Sequence, residues 1–325
     1  MAQPPYKIDP STIRRFDARA NAFGHARAES RGDCSGCAGP SHGEVFERIA
    51  DPDSEQRELA EAHAAWAVER ILWGGSSQID PEHDRADGAM SIPYVFPDPE
   101  QASADIKAVA ARFGAGLVGV TRVHSLWLYS HDSGGRPVDL PEGVQYAVVI
   151  AVEMPREQIG RSPGPMAAAA TGRGYSAMAA SAISVAEYLR RLGYQAIPSG
   201  NDTALSVPLA VDAGLGTMGR SGVLLTPKYG PFVRLCKVFT DLPLLPDIPK
   251  IDGAEPFCAR CGRCAAACPG KAISDAPQPS FGISGPWNRP GVLRWPVNGQ
   301  RCLAFWEKNG TSCSTCIAVC PYGSA

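Results

Sequence analysis

The sequence predicts an α+β fold in two parts, a larger mixed domain followed by a small cysteine-rich module, and three observations carry that expectation. Eight of the eleven cysteines fall between Cys258 and Cys320 in two spaced blocks. Upstream, GLVGVTRV and QYAVVIAVEM read as strands, the second a near-continuous apolar run of the kind buried on both faces of a sheet. Helix-period segments stand before and after those strands. A chain of 325 residues with 44% hydrophobic content is long enough to bury a sizeable core and still carry a module.

Residues 1 to 53 are polar, rich in Gly, Asp and Arg, and read as an extended or loosely packed arm. The arm includes Cys34 and Cys37, a pair with no second pair beside it, which reads as free thiols. SEQRELAEAHAAWAVERILWGG predicts an amphipathic helix capped by Ser54 and stopped by Gly74 and Gly75. After a Pro-rich linker, DPEQASADIKAVAARFGAG predicts a second helix, and the two strands follow. A Gly/Pro/Ala-rich passage, residues 160 to 173, leads into a helix expected from Tyr175 to about Leu192. Its small residues, among them Ala177, Ala179 and Ser181, admit another backbone or a flat ligand at close range. QAIPS predicts a short strand, and GLGTMGRSG a tight glycine loop beside a large ligand, flanked by strands in VLLT and FVRLCKVFT. That loop does not meet the context of a dinucleotide fingerprint, since no clear strand precedes it and no acidic residue follows at the required distance. The expected division is 1–99 arm and helical extension, 100–250 main domain, 251–325 module.

The first cysteine block places Cys258, Cys261, Cys264 and Cys268 at the C-x2-C-x2-C-x3-C-P spacing of two-cluster ferredoxins. The second is stretched at its front, with Cys302 ahead of Cys313, Cys316 and Cys320, and it too ends in Cys-Pro. In that arrangement the fourth cysteine of one block ligates the other block's cluster. The expected sets are therefore Cys258, Cys261, Cys264 and Cys320 on one 4Fe-4S centre, and Cys302, Cys313, Cys316 and Cys268 on the other. Zinc also uses short C-x2-C pairs, but three cysteines at this spacing, closed by Cys-Pro and nearly repeated, favour clusters.

A net charge of −2 gives no electrostatic reason to expect a nucleic-acid partner. TIRRFDARA pairs two arginines before a phenylalanine, yet no apolar run follows as an export signal requires, and no stretch is long enough for a membrane span. A reducing, cytoplasmic location is the expectation, and it suits oxygen-sensitive clusters.

From about residue 100 onward, GRGYSAM, IPSGND, VPLAVDAGLGTMGRSGVLLTPKYGPFVRLCKVFTDLPL and both cysteine blocks, in that order, resemble the cobalamin-dependent reductive dehalogenases. The resemblance implies a nitroreductase-like cobalamin-binding domain packed against a two-cluster ferredoxin-like module. It implies base-off cobalamin, consistent with the lack of a D-x-H-x-x-G motif among the six histidines. The implied cofactor contacts are Met178, Asn201, Leu215, Gly216, Gly219, Arg220, Leu225 and Thr226. The family's proton-donating tyrosine falls on Tyr175 and its basic partner on Lys237. Members acting on halogenated phenols with a carboxylate imply Arg301 as substrate holder. Members acting on chlorinated ethenes imply Asn201 and Arg234 near the tyrosine instead. Residues 234 and 237 point to opposite faces of an unbulged strand, so only one reaches Tyr175, and Lys237 is the choice here. The expected substrate is an organohalide of the phenol or hydroxybenzoate type. Five residues follow Cys320, so the electrons are expected from a separate ferredoxin, flavodoxin or reductase. Two other readings stand beside this one: a tRNA-modifying epoxyqueuosine reductase, whose family has an aspartate where Tyr175 stands, and a cluster protein that only transfers electrons.

Overall fold

The computed structural model describes residues 6–25, 93–249 and 254–323. The helix expected from Ser54 and the Cys34/Cys37 pair lie outside the described residues. The main domain runs α1 (Pro99–Arg112), β1 (Leu117–Arg122), β2 (Tyr146–Glu153), α2 (Arg156–Ile159), α3 (Pro165–Arg191), β3 (Ala196–Ser199), α4 (Ser206–Asp212), β4 (Thr217–Met218), β5 (Leu224–Leu225) and β6 (Val233–Thr240). Four strands form one sheet in the order β1-β2-β6-β3, every pair antiparallel. β2 and β6 are the inner strands. The apolar run of β2 follows from that place, since every residue but Glu153 is buried.

Strand alternation sorts the core into two layers. On one face Val148, Ile150, Val152, Cys236 and Val238 pack against α3 and against Ile106 of α1. On the other, Val149, Ala151, Leu235 and Phe239 meet Leu209 and Val211 of α4 together with Trp127. α3 has 27 residues and starts at Pro165, ten residues before the start expected at Tyr175. Pro165 at the first helical position has its φ pre-set for a helix, and the alanine run behind it is the best helix-forming composition. Gly172 and Gly174 lie inside the helix, where packing on the sheet outweighs their poor propensity. α4 has seven residues, with Pro208 in its first turn.

The arm is not loosely packed over its described part. Tyr6, Ile13, Phe16 and Ala18 are buried, and bridges tie Ile8 to Val292 and Phe16 to Tyr129. Of the glycine loop, Thr217 and Met218 form β4 and residues 219–222 lie in the turn of the β4–β5 hairpin. The module holds α5 (Ala254–Cys261), α6 (Arg263–Ala267), α7 (Gly299–Asn309) and α8 (Thr315–Ala318), with the insert between the cysteine blocks folded back onto the arm. No helix among the described residues is long and apolar enough to cross a membrane.

Candidate functional site

Tyr175 sits in the middle of α3, on the face turned to the sheet, and is 9% exposed. Its hydroxyl oxygen accepts a hydrogen bond from Asn201 Nδ2 at 2.9 Å. Asn201 follows β3, in the loop that leads into α4. The Arg234 guanidinium lies 4.9 Å from the centre of the Tyr175 ring, within range of a cation–π interaction. Arg234 Nε is 3.2 Å from Met154 Sδ, and Nη2 donates to Thr171 Oγ1 at 3.4 Å. Gly174 makes this approach feasible, because a Cβ there would come within 2.9 Å of Arg234 Cγ. Tyr175, Asn201 and Arg234 line one cavity of about 110 Å³ with Ser206, Leu224 and Ile317.

Lys237 is not part of that group. Alternation along β6 does separate 234 from 237, but α3 lies on the even-numbered face, so Arg234 reaches the tyrosine. Lys237, fully buried, points to the other face and donates to the carbonyls of Gly200, Asp202 at 3.0 Å and Ala204 at 2.9 Å, and to Ser206 Oγ at 3.1 Å. Burial pulls its ammonium down to about 8, with Asp202 pushing the other way. The lysine thus clamps the loop that carries Asn201. Arg301 is also elsewhere: it is exposed in the first turn of α7, donates to Lys271 O at 3.4 Å, and lines a groove of the module with Lys271 and Asp275. A position beside Cys302 in sequence leaves open which way a helical side chain points.

The residues expected as cofactor contacts have separate surroundings. Met178 is fully buried in the layer between α3 and the sheet, and Leu215 in the opposite layer. Gly216 and Gly219 let the hairpin strands close, since a Cβ on Gly216 would strike the Leu225 carbonyl and one on Gly219 the Leu225 side chain. Leu225 packs against Cys258 and Trp295, and Thr226 Oγ1 accepts from Tyr229 N and donates to Gly230 O within its turn. Arg220 faces the module rather than a cavity: it donates to the carbonyls of Cys258, Ser274 and Ala276 and stacks 4.5 Å from the centre of the Trp295 ring.

The eight module thiols fall into two mutually interacting groups. Burial and then the nearby Cys258 and Cys320 push the Cys264 thiol up to about 11, and Cys320 is raised by burial and by Cys258 and Cys261. Burial, Cys313 and Cys268 push Cys302 up to about 12, and burial followed by Cys302 and Cys313 raises Cys316 further. Cys264 and Cys268 also act on Cys316, so the two groups are neighbours. Cys258 and Cys268 are buried and the other six thiols partly buried, and among the described residues no three of them stand close enough to hold a metal ion as they are. Thiols that raise one another in this way are uncomfortable as free thiolates. A positively charged iron centre is the kind of group that makes them favourable.

Residues 257–324 match the family model described as a 4Fe-4S dicluster domain. Over 288 residues the chain is 38% identical to the tetrachloroethene reductive dehalogenase of Desulfitobacterium hafniense, which covers 75% of this chain and 51% of that protein. The chain spans about half the length of the curated relatives it matches. A reductive dehalogenase solved in connection with B12-dependent dehalogenation superposes with a TM-score of 0.76 at 24% identity, covering 99% of this chain and 44% of that one. The catabolic reductive dehalogenase NpRdhA in complex with 3-bromo-4-hydroxybenzoic acid gives 0.73 at 23% identity, with 99% and 44% covered. The structural likeness carries the α+β fold, and the sequence likeness over three quarters of its length carries the kinship: this chain belongs to the reductive dehalogenase family.

Proposed function

We propose that the protein removes halogen from an organohalide reductively, with Tyr175 as the proton donor. The observation that supports this most is the Tyr175, Asn201 and Arg234 trio lining one cavity against the cysteine module. Replacing a carbon–halogen bond by carbon–hydrogen consumes two electrons and one proton and releases halide. Asn201 holds the phenol oxygen in place, Tyr175 gives its proton to the carbon, and Arg234 against the ring stabilises the charge left on the phenolate. The cysteine sets proposed for the two 4Fe-4S clusters are Cys258, Cys261, Cys264 and Cys320, and Cys302, Cys313, Cys316 and Cys268. The mutual influence of the thiols supports that division. An external electron donor supplies the clusters.

Cobalamin is the cofactor proposed for the cavity, in its base-off form, and when bound it would supply a strongly reducing Co(I) centre. The lining is mostly apolar, with a few polar groups, as in sites for organic cofactors. The tyrosine cavity shares Asn201, Ser206 and Val207 as lining residues with a second of about 270 Å³, and its walls come from core, hairpin and module alike. Asn201, Leu224 and Ile317 are the residues that would line it.

The trio supports a small neutral haloalkene as substrate, in keeping with the tetrachloroethene named for the sequence relative. Arg301, the carboxylate holder implied for a halogenated phenol or hydroxybenzoate, does not line this cavity, and neither does Lys237. Two observations support that second reading: the structural neighbour in complex with 3-bromo-4-hydroxybenzoic acid, and a buried arginine, Arg289, that lines the adjoining cavity. The test is purification after anaerobic expression with cobalamin supplied, followed by halide release from haloethenes and halohydroxybenzoates with a chemical reductant. About eight iron and one cobalt per chain are expected from two clusters and one corrin. Tyr175→Phe should keep both while turnover falls by roughly 10² to 10⁴. Iron without cobalt, or unchanged turnover in Tyr175→Phe, rejects the reading.

A further inference from the structure

The second cavity has an electrostatic imbalance. Arg289, in the insert between the cysteine blocks, is 4% exposed. Its Nε donates to Arg14 O at 2.6 Å, and its guanidinium lies 4.9 Å from the centre of the Trp127 ring. Among the described residues neither Nη1 nor Nη2 has a partner. Arg294, beside it, donates Nη2 to Arg289 O at 2.8 Å, and its Nε is likewise unpartnered among the described residues. Both arginines line the cavity, and no described lining residue is acidic. The charged groups that face Arg289 do not compensate it. Burial and then Arg294 lower its guanidinium to about 10, while burial and then Arg289 itself lower His124.

A buried cation without a counter-charge is strongly unfavourable, and a second cation beside it adds to the cost. A purely structural arginine would be served by the Nε bond to the arm and the stack on Trp127. The two free Nη atoms form the fork that matches a carboxylate or phosphate in bidentate geometry. We propose that Arg289, supported by Arg294, is an oxyanion-binding site, taking a carboxylate or phosphate of a ligand that extends from the tyrosine cavity. Two sources carry that chemistry: the carboxylate of an aromatic organohalide, and the phosphodiester in the nucleotide tail of cobalamin. Only the naming of these sources rests on the dehalogenase reading.

The experiment uses the full chain with both clusters loaded and cobalamin withheld. Inorganic phosphate, 4-hydroxybenzoate, cobalamin and cobinamide, the corrin without phosphate and nucleotide, are titrated at fixed chloride by calorimetry and tryptophan fluorescence. If the partner group is a carboxylate, 4-hydroxybenzoate binds saturably and Arg289→Gln weakens it about thirtyfold or more, the scale of a truncated buried charge pair. The preference for cobalamin over cobinamide is then untouched. If it is the phosphodiester, that preference collapses in Arg289→Gln, and phosphate competes with cobalamin but not with cobinamide. Arg289→Lys recovers part of the binding in either case, and the cluster absorbance shows that the variants are folded. The site is overturned if wild-type protein binds neither anion and takes up both corrins equally, a result that needs no variant. Affinities unchanged in Arg289→Gln overturn it as well. A chain that takes up neither corrin rejects the dehalogenase reading instead, while the anion titrations still decide on Arg289.

Discussion

Two cations on one strand, Arg234 and Lys237, have opposite tasks because they face opposite layers. Arg234 lies against a tyrosine and beside a cavity, where its charge can act on chemistry. Lys237 meets four oxygens of residues 200 to 206, a segment that includes Thr203 with a left-handed φ of 64°. Such a segment needs an external donor to hold it, since the carbonyls of Gly200, Asp202 and Ala204 converge on the lysine. Lys237→Met should leave buried acceptors unpaired and destabilise the fold by about 3 kcal/mol or more, on the scale of lost charged hydrogen bonds. Denaturant unfolding monitored by circular dichroism measures this. A variant as stable as the parent would return Lys237 to a less structural role.

At the scale of an element, α3 sets the distance between Tyr175 and Arg234. Gly174 faces Arg234 Cγ and Met154 Cγ, at 2.9 and 3.2 Å from the position of an added Cβ. Gly174→Ala would gain about 1 kcal/mol in helix propensity. The same methyl would push the arginine stem or the helix aside, at a cost of about 1 to 3 kcal/mol typical of overpacking. The two terms nearly cancel in stability, whereas the displacement of Arg234 from the ring does not cancel in function. Turnover should therefore fall by tenfold or more on the order of one misplaced charge-stabilising group, with the unfolding midpoint almost unchanged. A Gly174→Ala protein of full activity would mean that the Arg234 stack on Tyr175 is dispensable.

Across the whole molecule, the hairpin of β4 and β5 joins the main domain to the cysteine module through Arg220. This arginine is 2% exposed and gives its donors to carbonyls of Cys258, Ser274 and Ala276, so its charge is spread over the first cysteine block and the insert. Trp295 covers its face. Arg220→Met should leave those carbonyls unsatisfied, lower stability by about 3 kcal/mol or more, and speed loss of iron to a chelator. Iron release at the parental rate would show that the module holds its shape without the hairpin.

Sequence alone determined what is local or periodic. The cysteine spacing, the apolar run of β2 and the separation of 234 from 237 each depend on neighbours a few residues away, or on a strand repeat of two. The tertiary structure decided what depends on distant packing. Which face of β6 meets α3 made Arg234, and not Lys237, the neighbour of Tyr175. The direction of α7 carried Arg301 to an exposed groove, and the fold of the insert onto the arm buried Arg289 beside the second cavity. Alternation states that two side chains diverge, but which of them finds the site is fixed only when a helix far away in the chain packs on one face of the sheet.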